Sequence, residues 1–514
     1  MRFYRVLFLV GGEILKKLDQ NLVILGCIIV FLNSLMLRWP IFSLLSLILL
    51  PLLAPTLTKQ TGKNYFAKLF YIVILLFLWL PFSALSFSLE RLNQVALSLS
   101  LSAWIFTYRQ LILGIGSMLF LVLYYLALRS FLGIVPYFTT SASFKETLKQ
   151  SFSKTKHHIW HYAKYIILGG ISLLLVDLLG LWATTLVTTP RVAVIYAVSF
   201  WTLKQVLVLS LVFWSVKSEL PKRVAVVLPA KWKKWGAGVL VLLALGFQVN
   251  LAHKALNVDP GTLPLVISHR GVDGKNGVQN TLPALNKTKH AAKPAYVELD
   301  IQETADRRFV VSHDENLRKL AHKNLVIADN ALEQLTQVKL KENGHVAYVA
   351  SFDSYLKQAQ KLKQPLLVEL KVNQGTGEKF SAYFCELYGK KLAKKDAVHS
   401  MDLAAINELK QRVPKIQAGY ILPFNLFSLA ENKADFYSLE YKTATKNFIK
   451  TAHANGKRVY LWTVNSPQQA LMAWALGADG VITDEPSKIE KSLADHSSKT
   501  YLKANLKLYL KGMI

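Results

Sequence analysis

The chain is poor in cysteine and poor in acid, and it carries no nucleic-acid-binding motif. Cys27 and Cys385 are its two cysteines in 514 residues, one in an apolar run and the other far away in a polar region. A disulfide framework and a cysteine-built zinc cluster are therefore excluded. The 32 acidic residues face 61 lysines and arginines, for a formal charge of +29. This surplus sits in loops between apolar runs and in the last third, so nucleic acid is not the expected partner. An anionic membrane surface or anionic substrate fits better. A cleavable leader is not expected either. The first apolar run is short and runs into Glu13, Lys16 and Lys17 without a small-residue cleavage pattern.

What the chain does have is grease, in its first half. Hydrophobic residues make up 52% of the whole. Long apolar runs recur at 21–37, 41–55, 70–85, 111–128, 165–187, 192–216 and 236–252, and 92–107 is also rather apolar. Several reach the ~18–20 residues that cross a bilayer as a helix. Residues 1–255 are therefore expected to be an all-α polytopic membrane domain of about seven spans. Lysine and arginine concentrate in 57–69, 141–164 and 217–235, while 188–191 holds only Arg191. Positive loops stay inside. The expected localisation is thus a multi-pass protein of the cell membrane, with a cytoplasmic N-terminus and everything after residue 252 outside. Asp177 and Lys204 fall near the middles of adjacent spans joined by a very short connection, so they should lie at similar depth. A charge in lipid costs on the order of 3 kcal/mol, part of which a pair offsets. Gluing two helices is the ordinary reading of this pair, and an ion or substrate path the functional one.

Residues 256–262 read as a linker, and after them the pattern changes. Short apolar strands alternate with helix-like stretches from 263 to about 490, which predicts a parallel α/β fold, a (β/α)8 TIM barrel. Nine candidate strands compete for eight positions, so ELDIQETADRRFVVSHD is expected to hold a hairpin-like excursion. Residues 491–514 form a basic tail with lysines at 503, 507 and 511 and apolar residues between. It suits either an amphipathic membrane-surface helix or a helix packed on the barrel.

Polar residues cluster at strand ends, where barrels build active sites. His269 ends the first strand of this region, followed by a turn containing Gly271, Gly274 and Gly277. The glycine spacing is not that of a dinucleotide fingerprint. Glu298-Leu299-Asp300 puts two carboxylates on one face of a strand, because residues two apart point the same way. Such a pair suits a hard divalent cation, calcium or magnesium. Glu369-Leu370-Lys371 repeats the geometry, offering a third carboxylate and a cation for an anion. His313-Asp314 stands at another strand end. Taken singly, each of these is more often structural. In this order, two histidines and three acids suit metal-assisted phosphoryl chemistry.

From about 263 to 487 the chain resembles the glycerophosphodiester phosphodiesterase family. The resemblance is carried by His269-Arg270-Gly271, Asn280-Thr281, Glu298-Leu299-Asp300, His313-Asp314, Glu369-Leu370-Lys371, Trp462-Thr463-Val464-Asn465 and Ile482-Thr483-Asp484. The first half is similar to the membrane domain fused to some bacterial members. The resemblance implies hydrolysis of a glycerol-linked phosphodiester to sn-glycerol 3-phosphate and an alcohol. His269 and His313 would then be general acid and base. Glu298, Asp300 and Glu369 would hold the metal, Arg270 and Lys371 would bind phosphate, and Asn280 and Trp462 would contact substrate. Expected substrates are deacylated phospholipids, lysolipids or glycerol-phosphate polymers of the envelope, with membrane lipids as surroundings. The chain departs from the family at Gln279, where glutamate is common, at Lys319, near which arginine is usual, and at Arg307-Arg308, where a glycine is absent. These departures bear on substrate choice. The alternative is a non-catalytic module that binds or senses glycerol-phosphate groups, coupled to a transporter-like membrane domain.

Overall fold

A computed structural model describes residues 108–133, 137, 142–156, 159–216, 230–372, 379–423, 432–494 and 497–511, with Ala67, Phe70, Tyr71 and Ile74. Contacts divide the chain into two units, one containing residues 108–258 and the other residues 259–508.

The first unit is helical wherever its regular structure is described. Helices cover Arg109–Ser130, Phe144–Lys156, Ile159–Ala183, Pro190–Val216 and Ala230–Leu256. Four of them coincide with apolar runs of the sequence. Gln110–Ser130 and Ile167–Leu186 are long and apolar enough to cross a bilayer. Leu113 and Met118 of the first, and Leu174 and Leu179 of the second, are exposed, and a helix apolar all round needs an apolar neighbour on every side. The expected spans 21–37 and 41–55 lie outside the described residues, as does 70–85 apart from Phe70, Tyr71 and Ile74. Asp177 and Lys204 do meet. Lys204 Nζ lies 2.7 Å from Asp177 Oδ1 and sits over the rings of Phe200 and Trp201.

The second unit is built on twelve strands: β1 (Leu265–Ser268), β2 (Tyr296–Glu303), β3 (Phe309–Val311), β4 (Lys339–Glu342), β5 (His345–Tyr348), β6 (Ala350–Ser351), β7 (Leu366–Leu370), β8 (Ala397–Ser400), β9 (Gln417–Leu422), β10 (Phe436–Glu440), β11 (Arg458–Trp462) and β12 (Gly480–Thr483). Eight of them, β1, β2 and β7 to β12, pair in parallel, and β1 closes the ring by pairing both β12 and β2. With helices between the strands this is the architecture of a TIM barrel. The ninth sequence candidate, FVVSH, is β3, which turns back antiparallel on β2, with Ile301 opposite Val311. Strands β4 and β5 form a separate antiparallel hairpin. The closing helix, Ser498–Leu510, packs Tyr501, Ala504 and Leu508 into the barrel's main core, with the Tyr501 and Trp474 rings 4.9 Å apart. Of the two readings of the tail, this is the packed one.

The barrel interior explains where the site falls. Ile267, Leu367, Ala397, Phe436, Tyr460 and Ile482, with Tyr296 against them, form an apolar plug. Gly419 lets Phe436 into that plug, since a Cβ at this position would overlap the phenyl ring. Side chains two residues further along a strand share its face. Continuing each strand by two from the plug gives His269, Glu298, Glu369, His399, Ser438, Trp462 and Asp484. The strands thus leave an apolar floor and carry polar groups toward the C-terminal rim.

Candidate active site

His269 opens a single turn of 3-10 helix at the end of β1, and Arg270 there has φ 52°. Gly271 follows with φ +69°, and a Cβ on it would lie 2.6 Å from the Tyr355 hydroxyl oxygen. Only glycine meets both constraints comfortably. The turn aims three groups. His269 Nδ1 donates to Asp484 Oδ1 at 2.6 Å. The Arg270 backbone N–H donates to Glu298 Oε2 at 2.8 Å. The Arg270 guanidinium donates from Nε to His269 Nε2 at 3.2 Å and from Nη1 to Gln279 Oε1 at 2.6 Å. Asp484 is itself held, accepting from Asn465 Nδ2 at 2.6 Å. Despite burial, its bonds to His269 and Asn465 keep its carboxyl below the usual range.

The three expected metal carboxylates converge, though not equivalently. Asp300 and Glu369 are register partners on β2 and β7. Lys371 Nζ lies between them, 2.9 Å from Asp300 Oδ1 and 2.6 Å from Glu369 Oε1. The contact to Asp300 is an ion pair without hydrogen-bond geometry. Burial raises the Asp300 pKa, but Lys371, Arg270, His313 and the Asn280 amide outweigh it and hold the carboxyl well below its ordinary range. Glu369 goes the other way. Burial, with Asp300 and Glu298 nearby, pushes it up to about 8 against the pull of Lys371. Burial lowers the Lys371 pKa, yet Asp300 and Glu369 carry it above that of an ordinary lysine. Asn280, at φ 60°, donates from Nδ2 to Asp300 Oδ2 at 2.9 Å. His313 donates from Nδ1 to Asp314 Oδ1 at 2.7 Å, and burial outweighs Asp300 to lower its pKa. Trp462 donates from Nε1 to the Ser438 carbonyl at 3.0 Å.

Among the described residues, the group whose ligand atoms all lie within 4.8 Å of one another is Glu298, Glu369 and His399. His399 was not among the site residues expected from sequence. Neither were Asp484 as the partner of His269, nor Glu342. The Glu342 carboxylate, at the end of β4, accepts from the Gln279 backbone N–H at 2.8 Å and from Gln279 Nε2 at 2.6 Å. An acid thus stands one step out from Gln279, and the amide relays between it and Arg270. A divalent cation fits the donor set. Glu298 and Glu369 are buried carboxylates, burial and then the neighbouring Asp300 and Glu298 raise the pKa of Glu369, and His399 Nε2 is buried without a hydrogen-bond partner.

Residues 269–488 match the model of the Glycerophosphoryl diester phosphodiesterase family. The C-terminal part of the chain is a domain of that family. Relatives align along the same part. A glycerophosphodiester phosphodiesterase of Caldanaerobacter subterraneus is 23% identical over 241 residues, 44% of this chain and 96% of the relative. Lysophospholipase D GDPD1 of Homo sapiens is 26% identical over 283 residues, 45% of this chain and 87% of the relative. Among solved structures, an Oleispira antarctica phosphodiesterase in complex with sn-glycerol-3-phosphate is 21% identical, with 45% of this chain and 98% of that chain covered and a TM-score of 0.40. The matched residues contain every site residue named above, from His269 to Asp484.

Proposed function

We propose that the chain is a membrane-held phosphodiesterase that hydrolyses glycerophosphodiesters to sn-glycerol 3-phosphate and an alcohol. The observation that carries the reading is the meeting, at one barrel rim inside the family domain, of three buried carboxylates with Lys371, Arg270 and two aspartate-held histidines. Glu298, Asp300 and Glu369 would hold a divalent cation, which when bound supplies charge stabilisation to the phosphoryl oxygens. Lys371 and Arg270 attract and orient the anionic diester. His269 and His313 are each fixed through Nδ1 by a carboxylate; one accepts the proton of the attacking hydroxyl or water and the other gives a proton to the bridging oxygen of the leaving alcohol. Gln279 and Glu342 brace Arg270 from outside.

The membrane part of the proposal rests on the two long apolar helices and on the charge pattern of the loops. It makes the first unit a multi-pass anchor with its N-terminus cytoplasmic and the barrel outside. A barrel held at a surface by a chain whose net charge is +29 suits a surface-held anionic substrate. The test is a substrate panel for the full-length protein: glycerophosphocholine, a lysophospholipid and a polyglycerol-phosphate polymer, each assayed for glycerol 3-phosphate. Turnover of at least one is expected. Binding of all three without turnover would favour the sensing module.

A further inference from the structure

We propose that His399 binds the same cation as Glu298 and Glu369, so that the centre takes a first-row transition-metal ion, such as manganese, cobalt or zinc, ahead of calcium. The inference rests on the metal-assisted reading above and adds to it the nitrogen donor and the class of cation.

His399 is 3% exposed and lies opposite Glu369 in the β7–β8 register, two residues past the apolar plug. Its Nδ1 is 2.9 Å from Ser438 Oγ. Its Nε2 has no hydrogen-bond partner, and Glu298 Oε1 is 3.8 Å away, beyond hydrogen-bond range. A metal-bound histidine typically uses one ring nitrogen on a fixed hydrogen-bond partner and turns the other to the ion. Ser438 is in place to be that partner. With its proton on Nδ1, the imidazole points an Nε2 lone pair toward two carboxylates. That arrangement is repulsive unless a cation, or a proton on Nε2, stands between them. Asp300 adds a third carboxylate at the edge of this group, already paired with Lys371 and the Asn280 amide. Lys371 occupies one oxygen of Glu369, Oε1. The donors left nearest one another are therefore mixed oxygen and nitrogen. Calcium prefers six to eight oxygens, whereas imidazole suits first-row transition ions.

The experiment uses the full-length chain, stripped with chelator and reloaded with Mn²⁺. Pulsed EPR reads directly bound nitrogen in the wild type, in His399→Gln and in His269→Gln. Calorimetry compares Mn²⁺ and Ca²⁺ affinity in the same proteins and in Glu298→Gln. Nitrogen coupling is expected in the wild type and in His269→Gln but not in His399→Gln. The last should bind Mn²⁺ roughly tenfold more weakly, or worse, with Ca²⁺ affinity nearly unchanged. Absence of nitrogen coupling in the wild type would overturn the proposal whether or not the variant folds. So would a wild-type preference for Ca²⁺. If Glu298→Gln loses cation binding while His399→Gln keeps wild-type Mn²⁺ affinity and coupling, only the histidine inference fails. If Glu298→Gln binds Mn²⁺ as the wild type does, the carboxylate metal centre fails with it.

Discussion

Two lysines, Lys204 buried and Lys371 partly buried, one in each unit, meet acids in opposite ways. Lys204 has one carboxylate, Asp177, and two aromatic rings over its ammonium. One positive and one negative charge close on each other, and the rings shield the pair. Lys371 stands between two carboxylates with Glu298 beyond, so even with Arg270 the barrel cluster sets three carboxyl groups, Glu298, Asp300 and Glu369, against two cations, and the Glu369 carboxyl is pushed up to about 8. A closed charge pair suits holding two helices together. An open one draws in a cation or a substrate and marks a site. The same residue types thus read as glue in one unit and as chemistry in the other, and the difference lies in charge left uncompensated.

The largest effects should come from the two histidines proposed to move protons. His269→Ala and His313→Ala should each lower kcat by about 10²–10⁴-fold, with the fold kept by circular dichroism. Asp484→Asn leaves the His269 contact in place without its charge. It should cost roughly 10–100-fold, seen in kcat more than in KM.

Stability sharpens the comparison further. Lys371→Met leaves buried carboxylates unpaired and should destabilise the barrel by about 3–5 kcal/mol in denaturant unfolding. Asp177→Leu and Lys204→Leu should each be costly in the same way, whereas the double change should restore most of the loss. Phosphodiester hydrolysis should be the same in the double variant as in the wild type. A double variant as unstable as the singles would give the pair a role beyond glue.

The open cluster should also show itself through pH. Burial pushes the Glu369 carboxyl up to about 8, so below that pH a cation must displace its proton. Cation affinity should then fall as pH falls, by up to about tenfold per pH unit, with proton release that disappears above pH 8. Calorimetry in buffers of different ionisation enthalpy reads both.

The barrel and most of this cluster are legible in the sequence because strand period and strand-end chemistry coincide. E-x-D and E-x-K put Glu298, Asp300, Glu369 and Lys371 on inward faces, and the structure pairs them there. The excess ninth strand reads as an excursion because its partner lies a few residues back along the chain. His399 was missed because AVHS reads as a bare core strand. The available signal was its place two residues past Ala397, the same offset that puts Glu369 past Leu367. The Asp484–His269 contact spans nearly the whole barrel in sequence, and only ring closure of β12 on β1 brings the two together. Glu342 belongs to a hairpin outside the barrel repeat, so no periodicity points to it.

The most direct test is the release of glycerol 3-phosphate from glycerophosphocholine by full-length protein, first with chelator and then with cation restored, beside His313→Ala. Hydrolysis that stops with chelator, returns with cation and is lost in the variant is the predicted result. Hydrolysis indifferent to both chelator and variant would contradict a metal-assisted site at this rim.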